Sequence, residues 1–142
     1  MTKSIIADKL PPSLSLQDFM LIAKDETKMP FRIRSFEPGK LLVNEQTYTN
    51  SVIIYQKTLE PDWKPQQFTD LKPEHFKHLE NSGQKLIIVG TGERQQFPHI
   101  SLYAKLLTEG IVLEFMSTKK ACHTFNILMA ENRQAACALL LR

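Results

Sequence analysis

Two apolar runs rich in β-branched residues, each closed by small polar residues and followed by a helical pattern, constrain this chain most. Lys85-Leu86-Ile87-Ile88-Val89 passes into Gly90-Thr91-Gly92-Glu93-Arg94, and Gly110-Ile111-Val112-Leu113-Glu114-Phe115-Met116 into Ser117-Thr118. Apolar runs of this length, bounded by turn residues, read as buried strands. Their order predicts parallel strands over 85–89 and 111–116 joined by a helix over 99–109, since parallel neighbours need a crossover connection. A second helix over 118–132 leads to a strand over 135–141, expected in the same sheet. Such a β-α-β-α unit opens a crevice outside the carboxyl ends of its strands. The pattern predicts an architecture and a place for a ligand, and names no reaction.

On the second helix Ala121, Phe125, Leu128 and Met129 fall within about 100° of one another at 3.6 residues per turn, a face for the core. Cys122 borders that face, and Lys119, His123, Asn126 and Ala130 form a neighbouring polar one. Ile127 breaks the pattern and predicts burial on a second side. Upstream, the middle of the chain reads as β structure. Phe31-Arg32-Ile33-Arg34 alternates, turns fall at Glu37-Pro38-Gly39-Lys40 and Asn44-Glu45, and Val52-Ile53-Ile54-Tyr55 is apolar enough for burial on both faces. An irregular connection anchored by Trp63 leads to a helix beginning in 69–74. Asp70 or Lys72 lies near its cap, Phe76 and Leu79 follow at helical spacing, and Ser82-Gly83 stops it. Residues 1–29 stand apart: Pro11-Pro12 breaks them, Ser15 and Asp18 resemble a capping box, and Phe19 to Ala23 suits a helix or a strand. They read as an extension on a single domain over 30–142.

A length of 142 residues leaves room for one core. With 42% apolar and 23% charged residues the chain is globular rather than disordered. The net charge of +3 is small and the basic residues are scattered apart from Lys119-Lys120, so no stripe exists to follow a nucleic-acid backbone. No run approaches the ~20 apolar residues of a membrane-spanning helix. Asp8-Lys9 interrupts Ile5-Ile6-Ala7, and four acids precede the first arginine, Arg32, so the expected address is the cytoplasm. Cys122 and Cys137 have neither a disulfide framework nor zinc-site spacing and read as small buried hydrophobes.

Gly90-Thr91-Gly92 would let a backbone approach an anion, but Gln95 stands where a dinucleotide fingerprint has its third glycine, and no Gly-Lys-Ser/Thr follows. A tight strand-to-loop turn is the plainer reading. Ser117 or Thr118 caps the next helix. Lys119 and Lys120 suit that helix start poorly; an anion or an acidic patch of a partner would resolve the conflict, and a solvated surface is the plainer reading. Cys122 and His123, adjacent on a helix, point about 100° apart and make no thiolate–imidazole pair. His75 and His78 read as an ordinary exposed helix face, and with His99 and His123 they form no metal set. No triad order and no carboxylate pair is present. Neither metal nor cofactor is expected.

Phe36 through Asn44, Tyr48 to Ile54, Trp63, Val89-Gly90-Thr91-Gly92, Pro98, Gly110-Ile111, Glu114-Phe115-Met116-Ser117-Thr118 and Ala121-Cys122-His123-Thr124-Phe125-Asn126 fall in the order of one pattern. It resembles the small single-domain family of largely unassigned function that includes mitochondrial complex I assembly factor 3. Asn126-Ile127-Leu128, Glu131 and Arg133 continue the pattern, which covers roughly residues 31–141. The resemblance implies a three-layer α/β sandwich around a mixed, partly parallel sheet, no established catalytic activity, and protein-assembly work in mitochondria. This chain departs from the pattern at His123, where the family has Arg, at Phe125, where it has Tyr, and at Asn50, where it has Gly.

The first reading is therefore a non-enzymatic interaction protein or assembly factor for a respiratory or membrane-associated complex. Its partner would be another protein, with self-association left open. A reading from another class places a small anionic ligand in the crevice between Gly90–Arg94 and Ser117–His123. There Thr91 and Arg94 would bind the anion, Lys119 would add charge and His123 would carry a proton, with Gly90, Gly92, Ser117, Thr118 and Asn126 completing the candidate set. A flat apolar patch favours the first reading, a deep pocket with convergent polar groups the second.

Overall fold

A meander of short antiparallel strands opens the described part of the chain, which in this computed structural model is residues 31–142 without position 56. The expected extension over 1–29 lies outside the described residues. β1 (Ile33–Glu37) pairs with β2 (Lys40–Val43), and β2 with β3 (Gln46–Tyr48). Turns at Pro38-Gly39 and Asn44-Glu45 separate them, and Ile33, Leu41 and Val43 are buried. The chain continues through β4 (Val52–Ile54), β5 (Leu59–Glu60), α1 (Pro73–Leu79), β6 (Leu86–Gly90), α2 (Ala104–Thr108), β7 (Val112–Met116), α3 (Thr118–Ala130) and β8 (Ala136–Leu139).

Five of these strands form a mixed sheet in the order β5-β4-β8-β6-β7. β6 and β7 are parallel neighbours, Leu86 opposite Val112 and Gly90 opposite Met116, as the two apolar runs require. β8 joins the same sheet, inserted between β6, to which it is parallel, and β4, to which it is antiparallel.

Alternation along the central strands sorts their side chains between two cores. Ile54, Ile88, Cys137 and Leu139 share one with Leu41 of the meander and Phe125 of α3. Ile53, Ile87, Val89, Ala136 and Ala138 share the other with Trp63, Phe76 of α1 and Leu106 of α2. The architecture is an α/β sandwich of three layers: α1 with α2, the mixed sheet, and α3 with the meander. Val52, Ile53 and Ile54 are each 0% exposed, which explains why that run carries no polar alternation. Burying each such side chain contributes about 1.5–3 kcal/mol.

The helix expected over 99–109 is a 3-10 turn at Ile100–Leu102 followed by only the five residues of α2. Tyr103 leaves helical geometry at φ −132°, and its ring packs 5.0 Å from that of Phe115. Aromatic packing onto β7 outweighs the small stability of so short a helix. Likewise the helix expected from 69–74 begins as a 3-10 turn at Phe68–Asp70 and becomes α-helical only at Pro73, after the N-cap Lys72, where a fixed proline φ suits a first turn. Ile127 is 45% exposed, so it lies on the open face of α3 and not against a second side. His75 does not share an exposed face with His78. It is buried, and its Nδ1 accepts the Lys72 N–H at 3.0 Å.

Candidate functional site

β6 and β7 end side by side, and the segments that follow them are knotted together. The Thr118 N–H donates to the Gly92 carbonyl at 2.8 Å, the Gly92 N–H donates to Thr118 Oγ1 at 2.8 Å, and the Thr118 hydroxyl donates to the Leu140 carbonyl at 2.5 Å. A Cβ on residue 90 would stand 2.8 Å from Thr118 Oγ1 and 2.9 Å from Thr118 Cα, so glycine is what lets α3 begin this close to the sheet. Gly92, at φ +104°, lies against the main-chain oxygen of Arg142, 2.7 Å from where a Cβ would be. Ser117 is the N-cap of α3, its Oγ accepting the Lys120 N–H at 3.3 Å, and Thr118 is the fully buried first helical residue.

Thr91 is also buried. Its hydroxyl lies 2.6 Å from the Arg94 carbonyl and 3.0 Å from the Met116 carbonyl, and accepts the Gln96 N–H at 3.1 Å. The structure therefore brings Gly90, Thr91, Gly92, Ser117 and Thr118 to one edge, with the two threonine hydroxyls bonded to backbone. Asn126 lies further along α3, where its amide bonds the backbone of Ile33. Lys119 and His123 are exposed on α3. Arg94 lines a cavity of about 530 Å³ together with Gln67, Phe68, Gln96 and Arg142, and neither Lys119 nor His123 belongs to its lining.

Cys122 is buried, and burial pushes its thiol up to about 12. Burial raises the Cys137 thiol well above its ordinary value too, with a smaller contribution from Cys122. Both are free and neutral at physiological pH, so neither is a thiolate nucleophile.

A second cluster escaped sequence reasoning. Tyr55 donates its hydroxyl to Glu60 Oε2 at 2.5 Å, and His78 Nε2 stands 3.1 Å from the same oxygen. The Tyr55 hydrogen bond holds the Glu60 carboxyl below the usual carboxylate range, while burial, and then Glu60, raise the Tyr55 hydroxyl. Glu60 and His78 line a cavity of about 360 Å³ with Trp63 and His75, whose imidazole burial pushes down. The only signal in the sequence is the i, i+3 spacing of His75 and His78; pairing of β5 with β4 supplies the rest. The cluster can pass a proton between carboxylate and imidazole, and the His78 and Glu60 side chains, 51% and 40% exposed, are open to solvent. Among the described residues no three His, Cys, Asp or Glu side chains gather to hold a metal ion, and no helix is long and apolar enough to cross a membrane.

Comparison with known proteins places this geometry. Residues 33–140 match the family model described as "Protein of unknown function (DUF498/DUF598)". The 13 kDa major membrane protein of Francisella tularensis subsp. holarctica is 25% identical over 122 residues, 85% of this chain and 99% of that protein. NADH dehydrogenase (ubiquinone) 1 alpha subcomplex assembly factor 3 of Danio rerio is 28% identical over 110 residues, 76% of this chain and 63% of that protein, so this chain spans less than two thirds of that relative. The NMR structure of a protein from Xanthomonas campestris superposes with a TM-score of 0.70 at 34% identity, over 78% of this chain and 84% of that one. With the family model covering most of its length and every element of the three-layer sandwich, this chain belongs to the DUF498/DUF598 family.

Proposed function

We infer that this protein is a non-catalytic interaction protein that assists assembly of a respiratory or membrane-associated complex. The observation that carries the reading is the apolar surface of the β6–β7 connection. Phe97 is 68% exposed, Ile100 56% and Leu107 40%, all three within the β6–β7 connection. Single exposed hydrophobes are ordinary, but three large ones from one connection fit a surface that a partner covers. The Phe97 ring packs edge-on to that of Phe115, centroids 6.3 Å apart, and exposed aromatic side chains are of the kind that concentrates binding energy. The name of the Danio rerio relative supports assembly as the task, and that of the Francisella relative supports work beside a membrane. The reading includes a cytoplasmic address, checked by cell fractionation.

Deleting the gene in its native host should lower the amount of one assembled membrane complex on native gels. Wild-type protein should restore it, and a Phe97→Ser, Ile100→Ser variant of unchanged melting temperature should not. Full restoration by that variant would remove the surface from the account, and unchanged complexes in the deletion strain would remove the assembly role.

A further inference from the structure

The cavity at the carboxyl edge of the parallel strands has a lining that the assembly reading does not use. Four segments remote in sequence converge on it: the Pro38-Gly39 turn, residues 67–69 at the start of the Phe68–Asp70 3-10 turn, the loop from Thr91 to Gln96, and Arg142 beyond β8. Two of these, the loop and Arg142, follow the carboxyl ends of the adjacent parallel strands β6 and β8, the edge at which open α/β sheets take their ligands. At about 530 Å³ the cavity has the size of a small-molecule site.

Its chemistry is that of an anion receptor. Arg94 and Arg142 both line it, and among the described residues neither guanidinium has a carboxylate within 4.0 Å. Two like charges sharing one cavity repel, and an anion between them relieves that repulsion. The acid at hand is Glu93 in the lining. Gln67 and Gln96 add amide donors, and Phe68 supplies an apolar wall.

The loop that presents Arg94 is also built in advance. The buried Thr91 hydroxyl reaches the Arg94 carbonyl and receives the Gln96 N–H, closing the loop on itself before any ligand arrives. Preorganisation of this kind lowers the ordering cost of binding.

We propose that this cavity binds a small, multiply charged anion, a di- or tricarboxylate or a phosphate compound, gripped by the guanidinium forks of Arg94 and Arg142. Arginine suits either anion because its planar fork meets two oxygens at once. Lys119 and His123, on α3, take no part.

The test is a titration of the full chain, at constant ionic strength, with citrate in one arm and inorganic pyrophosphate in the other, read by amide chemical shifts and by calorimetry. The expected result is saturable binding of at least one anion, with shifts centred on Thr91 to Gln96, Gly39 and Arg142; the arm that saturates identifies carboxylate or phosphate as the group recognised. Arg94→Ala and Arg142→Ala should each weaken binding roughly tenfold. Arg94→Lys, which keeps the charge and loses the fork, should weaken it too, and Lys119→Ala should leave it unchanged. Both arginines are exposed, so the variants should retain the wild-type melting profile. Shifts that rise linearly without saturation in both arms, or binding that survives loss of both arginines, would overturn the proposal.

Discussion

Asn126 of α3 closes both ends of its side-chain amide on one residue, Ile33 of β1: its Oδ1 accepts the Ile33 N–H at 2.9 Å and its Nδ2 donates to the Ile33 carbonyl at 2.7 Å. β1 is an edge strand of the meander, so these two bonds satisfy backbone groups that β2 does not reach and pin α3 to that sheet. Replacing Asn126 by Ala should destabilise the protein by about 1–3 kcal/mol, the range for orphaning buried hydrogen-bonding groups. Asp should serve little better, because it cannot donate to the carbonyl. Urea unfolding decides this, with a lower midpoint at unchanged slope expected for both variants and an unchanged midpoint contradicting it.

The knot between the Gly90-Thr91-Gly92 turn and α3 should behave as structure. Thr118→Val keeps the shape of the side chain but removes the hydroxyl that joins Gly92 and Leu140, at a cost of about 1–3 kcal/mol for each group left unpaired. Thr118→Ser should recover much of that stability, and Gly90→Ala should cost about 1–3 kcal/mol by pressing on the Thr118 backbone. Amide exchange at Gly92 reports the knot directly. Protection of that amide unchanged in the Val variant would mean that the hydroxyl does not hold it.

His75 gives stability a pH dependence with a definite sign. Burial lowers its folded value, nearby Lys72 and Lys64 lower it further, Glu74 and Asp70 act in the opposite direction, and Nδ1 must stay unprotonated to accept the Lys72 N–H. An unfolded histidine titrates near about 6.5, so below that pH the unfolded chain binds more protons than the folded one and stability falls as pH drops. Glu60, whose folded value is lowered, contributes stability above the unfolded carboxylate value that is lost in a separate, more acid range. His75→Asn keeps an acceptor without a titrating group and should flatten the decline between about pH 7 and 5. Urea midpoints across that range decide it; identical pH profiles for the two proteins would contradict the assignment.

Cys122 and Cys137 should be inert to thiol reagents in the native protein and react only on unfolding, because both are buried and held as thiols. Rapid labelling of native Cys122 by iodoacetamide, followed by mass spectrometry, would show the α3 start to be more open than this.

How much of this was legible depended on whether a feature is local. Strands β6 and β7 and the helix α3 were readable because runs such as Ile87-Ile88-Val89 carry their burial in sequence, as does the spacing of Ala121, Phe125 and Leu128. The seat of β8 between β4 and β6 was not, since pairing of Ile54 with Cys137 leaves no mark on either segment alone. The candidate site divided in the same way. Gly90, Thr91 and Thr118 were singled out for their place after strands, and they do meet. Their hydroxyl partners, Arg94 and Leu140 carbonyls, are backbone groups that no residue pattern reveals. Asn126 sat on a polar helix face, but its partner is 93 residues away. Arg142 as a neighbour of Arg94, and Glu60 as a neighbour of His78, likewise depend on tertiary placement.

The central claim, that the Phe97 and Ile100 surface receives a protein partner during assembly of a membrane complex, is tested most directly by a photo-crosslinking amino acid placed at position 97 in the native host, with one at position 119 as the comparison. The account predicts crosslinks from position 97 to a subunit of a respiratory or other membrane-associated complex, and none to that subunit from position 119. Equal crosslinking to that subunit from both positions, or from position 97 only to proteins outside any membrane complex, would contradict it.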